Sequence, residues 1–307
     1  MTLDASQLTG MYPALPTPFR PDGGVDEPRL ERLADRLIGA GASGLVPIGG
    51  TGEYTAMSPD ARTQAVAATV RAARGRVPVV AGVLSPGYAE ALSAGQAFMQ
   101  AGADGLLLIT PFYARPTAAT LRAYFRKYAA ESGAPLLLYD IGARTGVSVT
   151  PEMVADLADD GSIIGMKACN TDLNHFERIV RLTGRRIALL SGDDYLYPAH
   201  AQLGAHGGIL ASSVLLPRYW DQIARLARDG DHAGAQRGRA RILPLLDALF
   251  AQTNPGPLKA ALRLNGMEFG DVVLPLAPPD DIAVRRLQSL MLELASAGVD
   301  DLAGMTH

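Results

Sequence analysis

Eight short apolar runs punctuate this chain, at residues 11–15, 44–48, 77–83, 105–109, 136–139, 163–167, 187–191 and 208–211, with amphipathic stretches between them. Each run is too short for a typical helix and mostly too continuously apolar for a strand with one wet face. Each therefore reads as a strand buried on both faces of a parallel sheet. Parallel neighbours need a crossover connection, and the intervening stretches read as the helices that supply it. Ser58-Pro59 and Thr150-Pro151 put a capping hydroxyl before proline at the first helical position, and Gly41, Gly102 and Gly204 stand where helical patterns stop. Eight strand and helix repeats at this spacing predict an α/β chain folded as a (β/α)₈ TIM barrel rather than an open doubly wound sheet.

After residue 211 the pattern changes. Residues 218–228, 233–250, 257–264 and 279–297 look helical with no apolar strand between them. The first completes the barrel and the others form a C-terminal helical extension. The expected organisation is a catalytic barrel over 1–230 and an extension of the same domain over 231–307, with Asn254-Pro255-Gly256-Pro257 as a rigid turn inside it.

A net charge of −3 with no block of five like charges argues against a nucleic-acid or acidic-membrane partner, leaving small molecules as the expected ligands. The single cysteine, Cys169, has no partner for an internal disulfide, and no uninterrupted apolar stretch reaches 18 residues. The N-terminus lacks both a basic start and an apolar core. Together these features predict a cytoplasmic protein without a membrane span. The five histidines show no helix-spaced pair with a third ligand nearby, no serine sits in a Gly-x-Ser-x-Gly elbow, and no metal or cofactor is expected.

Only three of the 28 basic side chains are lysines, Lys127, Lys167 and Lys259, and Lys167 closes the apolar run Ile163-Ile164-Gly165-Met166. A strand-end lysine can snorkel to water. It can also do what arginine cannot, losing its proton in an apolar pocket and attacking a carbonyl. Desolvation at that position is expected to lower its pKa from about 10.4 toward neutrality. Barrel enzymes gather their active sites at the carboxyl ends of the strands, so the other strand ends matter. One is Gly49-Gly50-Thr51-Gly52-Glu53, whose amides and threonine hydroxyl suit a carboxylate and whose spacing is not that of a dinucleotide fingerprint. Another is Tyr139, a candidate proton carrier beside an ammonium or iminium. Arg144, in the following loop, can grip a second carboxylate with two hydrogen bonds.

Taken together, Gly49-Gly50-Thr51-Gly52-Glu53, Thr110-Pro111-Phe112-Tyr113-x-Arg115-Pro116, Tyr139 with Arg144-Thr145-Gly146, Gly165-Met166-Lys167, Ser191-Gly192-Asp193-Asp194 and Asn254-Pro255-x-Pro257-x-Lys259 resemble the dihydrodipicolinate synthase and N-acetylneuraminate lyase superfamily over nearly the whole chain. The resemblance implies a class I, metal-independent lyase or aldolase whose Lys167 forms an imine with pyruvate or another 2-oxo acid. It further implies Tyr139 as acid and base, and Gly50 with Thr51 at the pyruvyl carboxylate. Ile209 would line the pocket, Arg144 would meet the carboxylate of a second substrate, and Tyr113 would reach a neighbouring subunit's site in a homotetramer built from dimers.

Three departures from the family pattern stand out. Gly50 replaces a threonine whose hydroxyl links two tyrosines in a proton relay, so condensation with aspartate semialdehyde is expected to be slow. Asp140-Ile141-Gly142 replaces Asn-(Val/Ile)-Pro, and Ala168 replaces the usual glutamate after the lysine. A glycine at position 50 also resembles the sugar-acid branch, which keeps open a 2-keto-3-deoxy sugar acid dehydratase. From a different class comes a non-catalytic regulatory protein that binds 2-oxo acids.

Overall fold

The computed structural model describes residues 3–267 and 269–306. Its strands are β1 (Gly10–Met11), β2 (Val80–Val83), β3 (Gly105–Ile109), β4 (Leu136–Asp140), β5 (Gly165–Ala168), β6 (Ala188–Ser191) and β7 (Gly207–Gly208), paired in parallel in the order β1-β7-β6-β5-β4-β3-β2. Residues in β2 to β7 are buried on both faces, as their unbroken apolar runs require.

Residues 44–48 close the ring between β1 and β2. Ala14 bridges Val46 and Leu45 bridges Val79, both in parallel. The Leu15 amide donates to the Val46 carbonyl at 2.9 Å, and the Gly82 amide donates to the Pro47 carbonyl at 3.2 Å. The expected second strand is thus present but interrupted. Pro47 has no N–H for the ladder, and Ile48 turns into the left-handed region at φ 50°. The barrel is closed, with seven regular strands and one irregular one among the described residues.

Local chemistry explains the helices between. The hydroxyl of Ser58 accepts from the Ala61 amide ahead of the helix Pro59–Ala73, and that of Thr150 accepts from the Met153 amide ahead of Pro151–Asp159. The helix Pro217–Arg228 lays Trp220, Ile223, Ala224 and Ala227 against the barrel, and Trp220 donates to Ser212 Oγ at 2.8 Å. The C-terminal helices His232–Phe250, Gly256–Leu264 and Asp281–Ser296 pack against one another, and the first also rests on Pro217–Arg228. In the second, residues 256–262 are all buried, which carries Asn254 and Lys259 to the mouth of the barrel. Among the described residues no helix is long and apolar enough to cross a membrane.

Candidate active site

Parallel register brings Tyr139 and Lys167 together. Tyr139 pairs with Lys167 across β4 and β5, so both side chains leave the same face at the carboxyl ends of their strands. Lys167 is 8% exposed and Tyr139 is 5% exposed, and Lys167 Nζ lies 4.5 Å from the centre of the Tyr139 ring. Gly192, just past β6, makes room for this lysine. A Cβ there would stand 2.8 Å from Lys167 Cε and 2.2 Å from Cys169 Sγ, so only glycine lets the lysine stem run over the strand end. Neither Gly192 nor Cys169 carried a functional reading in the sequence, because the close approach joins separate strands.

The charge state of Lys167 differs from expectation. Burial alone pulls its ammonium down, but Tyr139 against it, with Cys169 and Asp194 nearby, outweighs burial and holds it above the ordinary lysine value. Burial also pushes the Tyr139 phenol up and the Cys169 thiol up to about 12. The expected drop toward neutrality considered desolvation without the partners that the fold supplies. In the resting site Lys167 carries a proton that must leave before the amine can attack a carbonyl.

The 49–53 turn takes its shape from three contacts. A Cβ at Gly52 would meet the Ile48 backbone at 2.6 Å, which reserves that place for glycine. Thr17 Oγ1 donates to the Gly52 carbonyl at 2.8 Å, and Asn254 Nδ2 donates to Thr51 Oγ1 at 2.9 Å. Glu53, in the left-handed region at φ 61°, turns its carboxylate to the C-terminal extension. Its Oε1 meets Lys259 Nζ at 2.5 Å and its Oε2 accepts from the Val273 amide at 2.8 Å, with both side chains of the ion pair buried. The three lysines therefore divide their work. Lys127 is exposed and faces Glu131 at 3.7 Å, Lys259 neutralises a buried carboxylate, and Lys167 stands at the strand ends.

Arg144, in the short helix Gly142–Thr145, is exposed and leans over the turn: a Cβ on Gly50 would lie 3.4 Å from its Nη1. Its positive charge reaches Tyr139, whose phenol it lowers against the stronger effect of burial. Ile209 is 1% exposed and follows β7, its amide donating to the Ser191 carbonyl at 2.8 Å. Tyr113 stands apart from this cluster. It is 98% exposed, with φ 70°, and within the chain it meets neither Lys167 nor Tyr139.

Two buried acids, named in the sequence motifs without a role, lie behind the site. Asp194 accepts from the Ser212 amide at 2.8 Å and from the Ser212 hydroxyl, and burial raises its pKa. Asp140, which follows Tyr139, is fully buried, and neither carboxylate oxygen meets a partner in hydrogen-bonding geometry. Burial pushes it up to about 6, against a smaller lowering by His175. Among the described residues no group of three His, Cys, Asp or Glu side chains could hold a metal ion.

Similarity to known proteins converges on one family. The sequence profile of the Dihydrodipicolinate synthetase family matches residues 7–293. The 4-hydroxy-tetrahydrodipicolinate synthase of Methanothrix thermoacetophila is 38% identical over 287 residues, covering 93% of this chain and 97% of that protein. The enzyme of the same name from Nitratidesulfovibrio vulgaris is 36% identical over 294 residues, covering 95% and 99%. Among solved structures, the DHDPS of Cyanidioschyzon merolae, determined with lysine bound, superposes with a TM-score of 0.91 at 31% identity, covering 96% of this chain and 99% of that one.

Proposed function

The chain belongs to the dihydrodipicolinate synthetase family, and from that premise we propose that it joins pyruvate or a related 2-oxo acid to an aldehyde, or reverses that step, through an imine on Lys167. The observation that carries the reading is the registered Tyr139–Lys167 pair at the strand ends, with Nζ 4.5 Å from the phenol ring. Loss of the Lys167 proton frees the amine to attack the keto carbon. The carbinolamine then expels water, with Tyr139 passing the proton to the departing oxygen. The iminium draws electrons from the neighbouring carbon, so that carbon gives up a proton and the enamine attacks the aldehyde. Hydrolysis of the product imine returns the amine. The imine is itself the electron sink, so the chemistry calls for no metal or cofactor.

In this scheme Gly50 and Thr51 hold the pyruvyl carboxylate through backbone N–H groups and the Thr51 hydroxyl, which keeps an O–H to donate while it accepts from Asn254. Ile209 walls the pocket and Arg144 meets a carboxylate on the partner substrate. Relatives named as synthases support carbon–carbon bond formation over dehydration of a sugar acid and over a binder without turnover. Tyr113, exposed and on a strained backbone, suits insertion beside a neighbouring subunit's site in a cytoplasmic homotetramer, a dimer of dimers. A panel of 2-oxo acids, each offered with and without aldehydes, tests the function. Turnover with pyruvate supports it; thermal stabilisation by 2-oxo acids with no turnover on any pair overturns it.

A further inference from the structure

At the other end of the barrel, where the strands begin, a cavity of about 270 Å³ opens between β1, β7 and the helices Tyr197–Gln202 and Pro217–Arg228. Gly10 opens β1, His206 precedes β7 and Arg228 closes its helix, so this space lies away from the strand ends that carry Tyr139 and Lys167. It exists because Ala201, Ala205, Ala224 and Ala227 are too short to fill the gap between these elements. Its polar lining is Thr9, Tyr197, His206 and Arg228, with no carboxylate among them. Each of the four has a donor to spare. Tyr197 is 3% exposed, and its ring is fixed edge-on to Trp220 at 5.9 Å and over Gly208, where a Cβ would stand 3.0 Å from Cδ2. Its hydroxyl nevertheless has no hydrogen-bond partner among the described residues, and burial pushes the phenol up to about 12, so it remains a donor. The Leu189 amide donates to His206 Nδ1 at 3.1 Å, which leaves the ring proton on Nε2 with no partner among the described residues. The Thr9 hydroxyl and the exposed Arg228 guanidinium are also unpaired among them. Asp221, whose charge reaches Tyr197, is already held by Arg225 at 2.8 Å.

We propose that this cavity binds a small organic oxyanion, a phosphate or carboxylate group on a short alkyl body, with its head group held by Arg228, Tyr197, His206 and Thr9 and its carbons against the four alanines. Four donors on one space, with no protein acceptor for any of them, call for a ligand rich in acceptors, and the guanidinium calls for negative charge. The charge of Arg185 also reaches His206, so the surroundings favour an anion further. Leaving the Tyr197 hydroxyl unpaired among alanines and aromatic rings is costly, and an oxyanion removes that cost. The ligand is not the substrate of the Lys167 reaction, because barrel chemistry belongs to the opposite ends of the strands. Its binding would instead tie the last turn of Pro217–Arg228 to the starts of β1 and β7, stabilising the folded chain by mass action.

Calorimetric titration with ethyl phosphate, butyrate and the uncharged 1-butanol, at fixed ionic strength, tests the proposal. We expect at least one of the two anions to bind, which identifies the head group, and 1-butanol not to bind. Arg228→Gln, at an exposed position that folding tolerates, should weaken the anion about tenfold or more, and Tyr197→Phe should weaken it about fivefold or more. Because the Tyr197 hydroxyl has no partner within the described chain, Tyr197→Phe should leave the unfolding midpoint of the ligand-free protein unchanged or higher while shrinking the upward shift that the anion produces. A purely structural tyrosine would do the reverse, lowering the midpoint and leaving the shift intact. Ala227→Leu, which fills the space, should abolish binding and repeats the test should Tyr197→Phe fail to fold. The site is overturned if neither anion binds, if 1-butanol binds as well as the anions, or if affinity survives both Tyr197→Phe and Ala227→Leu. Weakening by Arg228→Gln alone would mean an adventitious ion only, on a surface arginine, and overturns it equally.

Discussion

Replacing Lys259 by methionine should cost this protein stability and, through the 49–53 turn, its hold on pyruvate. The ammonium meets Glu53 at 2.5 Å with side-chain exposures of 1% and 0%, and it also donates to the Asp271 carbonyl at 3.1 Å. Methionine keeps the length of the stem and removes the charge, leaving the Glu53 carboxylate buried with only the Val273 amide as a donor. Breaking a buried pair from one side costs about 3–5 kcal/mol, because the stranded charge loses its counterion and cannot recover its water. For a chain of this size each kcal/mol is worth about 2–4 °C, so the midpoint of thermal unfolding should fall by roughly 6–20 °C. The double variant Glu53→Gln, Lys259→Met removes both charges and should sit closer to the parent than the single variant does. Urea unfolding gives the free energies, and initial rates against pyruvate concentration give KM, which should rise in the single variant because Glu53 ends the turn that carries Thr51. A single-variant loss below 1 kcal/mol, or a double variant as unstable as the sum of both singles, would refute the reasoning.

Tyr139→Phe should lower turnover by about 10²–10⁴-fold with the fold intact by circular dichroism, the usual worth of a positioned proton donor; a rate within twofold of the parent would remove Tyr139 from the mechanism. Because the resting Lys167 ammonium is held above its ordinary value, log kcat/KM for pyruvate should rise with a slope of about +1 between pH 6 and 8, and a flat profile would contradict a protonated resting lysine. Asp140 is raised from 3.8 to about 6 by burial, so the folded state holds its proton more tightly than the unfolded chain, and stability present below pH 4 is lost as pH rises through 6. Asp140→Asn should match the parent at pH 4 and exceed it by up to about 3 kcal/mol in urea unfolding at pH 7.5; equal stabilities at both pH values would show that the carboxylate is solvated.

The barrel was legible because parallel strands covered on both faces must be apolar at every position, and runs such as 105–109 and 136–139 are. The interruption at 44–48 was legible in principle, since Pro47 cannot donate to a ladder, but an apolar run read for hydropathy alone conceals it. Lys167 and Tyr139 could be found because the fold class assigns chemistry to strand ends. Their ionisation could not, because it depends on Tyr139 meeting Lys167 across two strands and on Asp194, which the fold brings near from a later strand end. The use of Lys259 was hidden for the same reason, its partner Glu53 lying at the opposite end of the sequence. Arg144 was read only as a side chain of the loop after Tyr139, because its approach to Gly50 is a matter of side-chain reach that no spacing encodes.

The central claim is that Lys167 is the amine that forms the imine. Borohydride reduction in the presence of pyruvate, followed by peptide mass spectrometry, tests it most directly. The account predicts a pyruvate-derived mass on the peptide carrying Lys167, none on Lys127 or Lys259, and no capture by the Lys167→Arg variant. An unlabelled Lys167 beside a labelled Lys259 would contradict it.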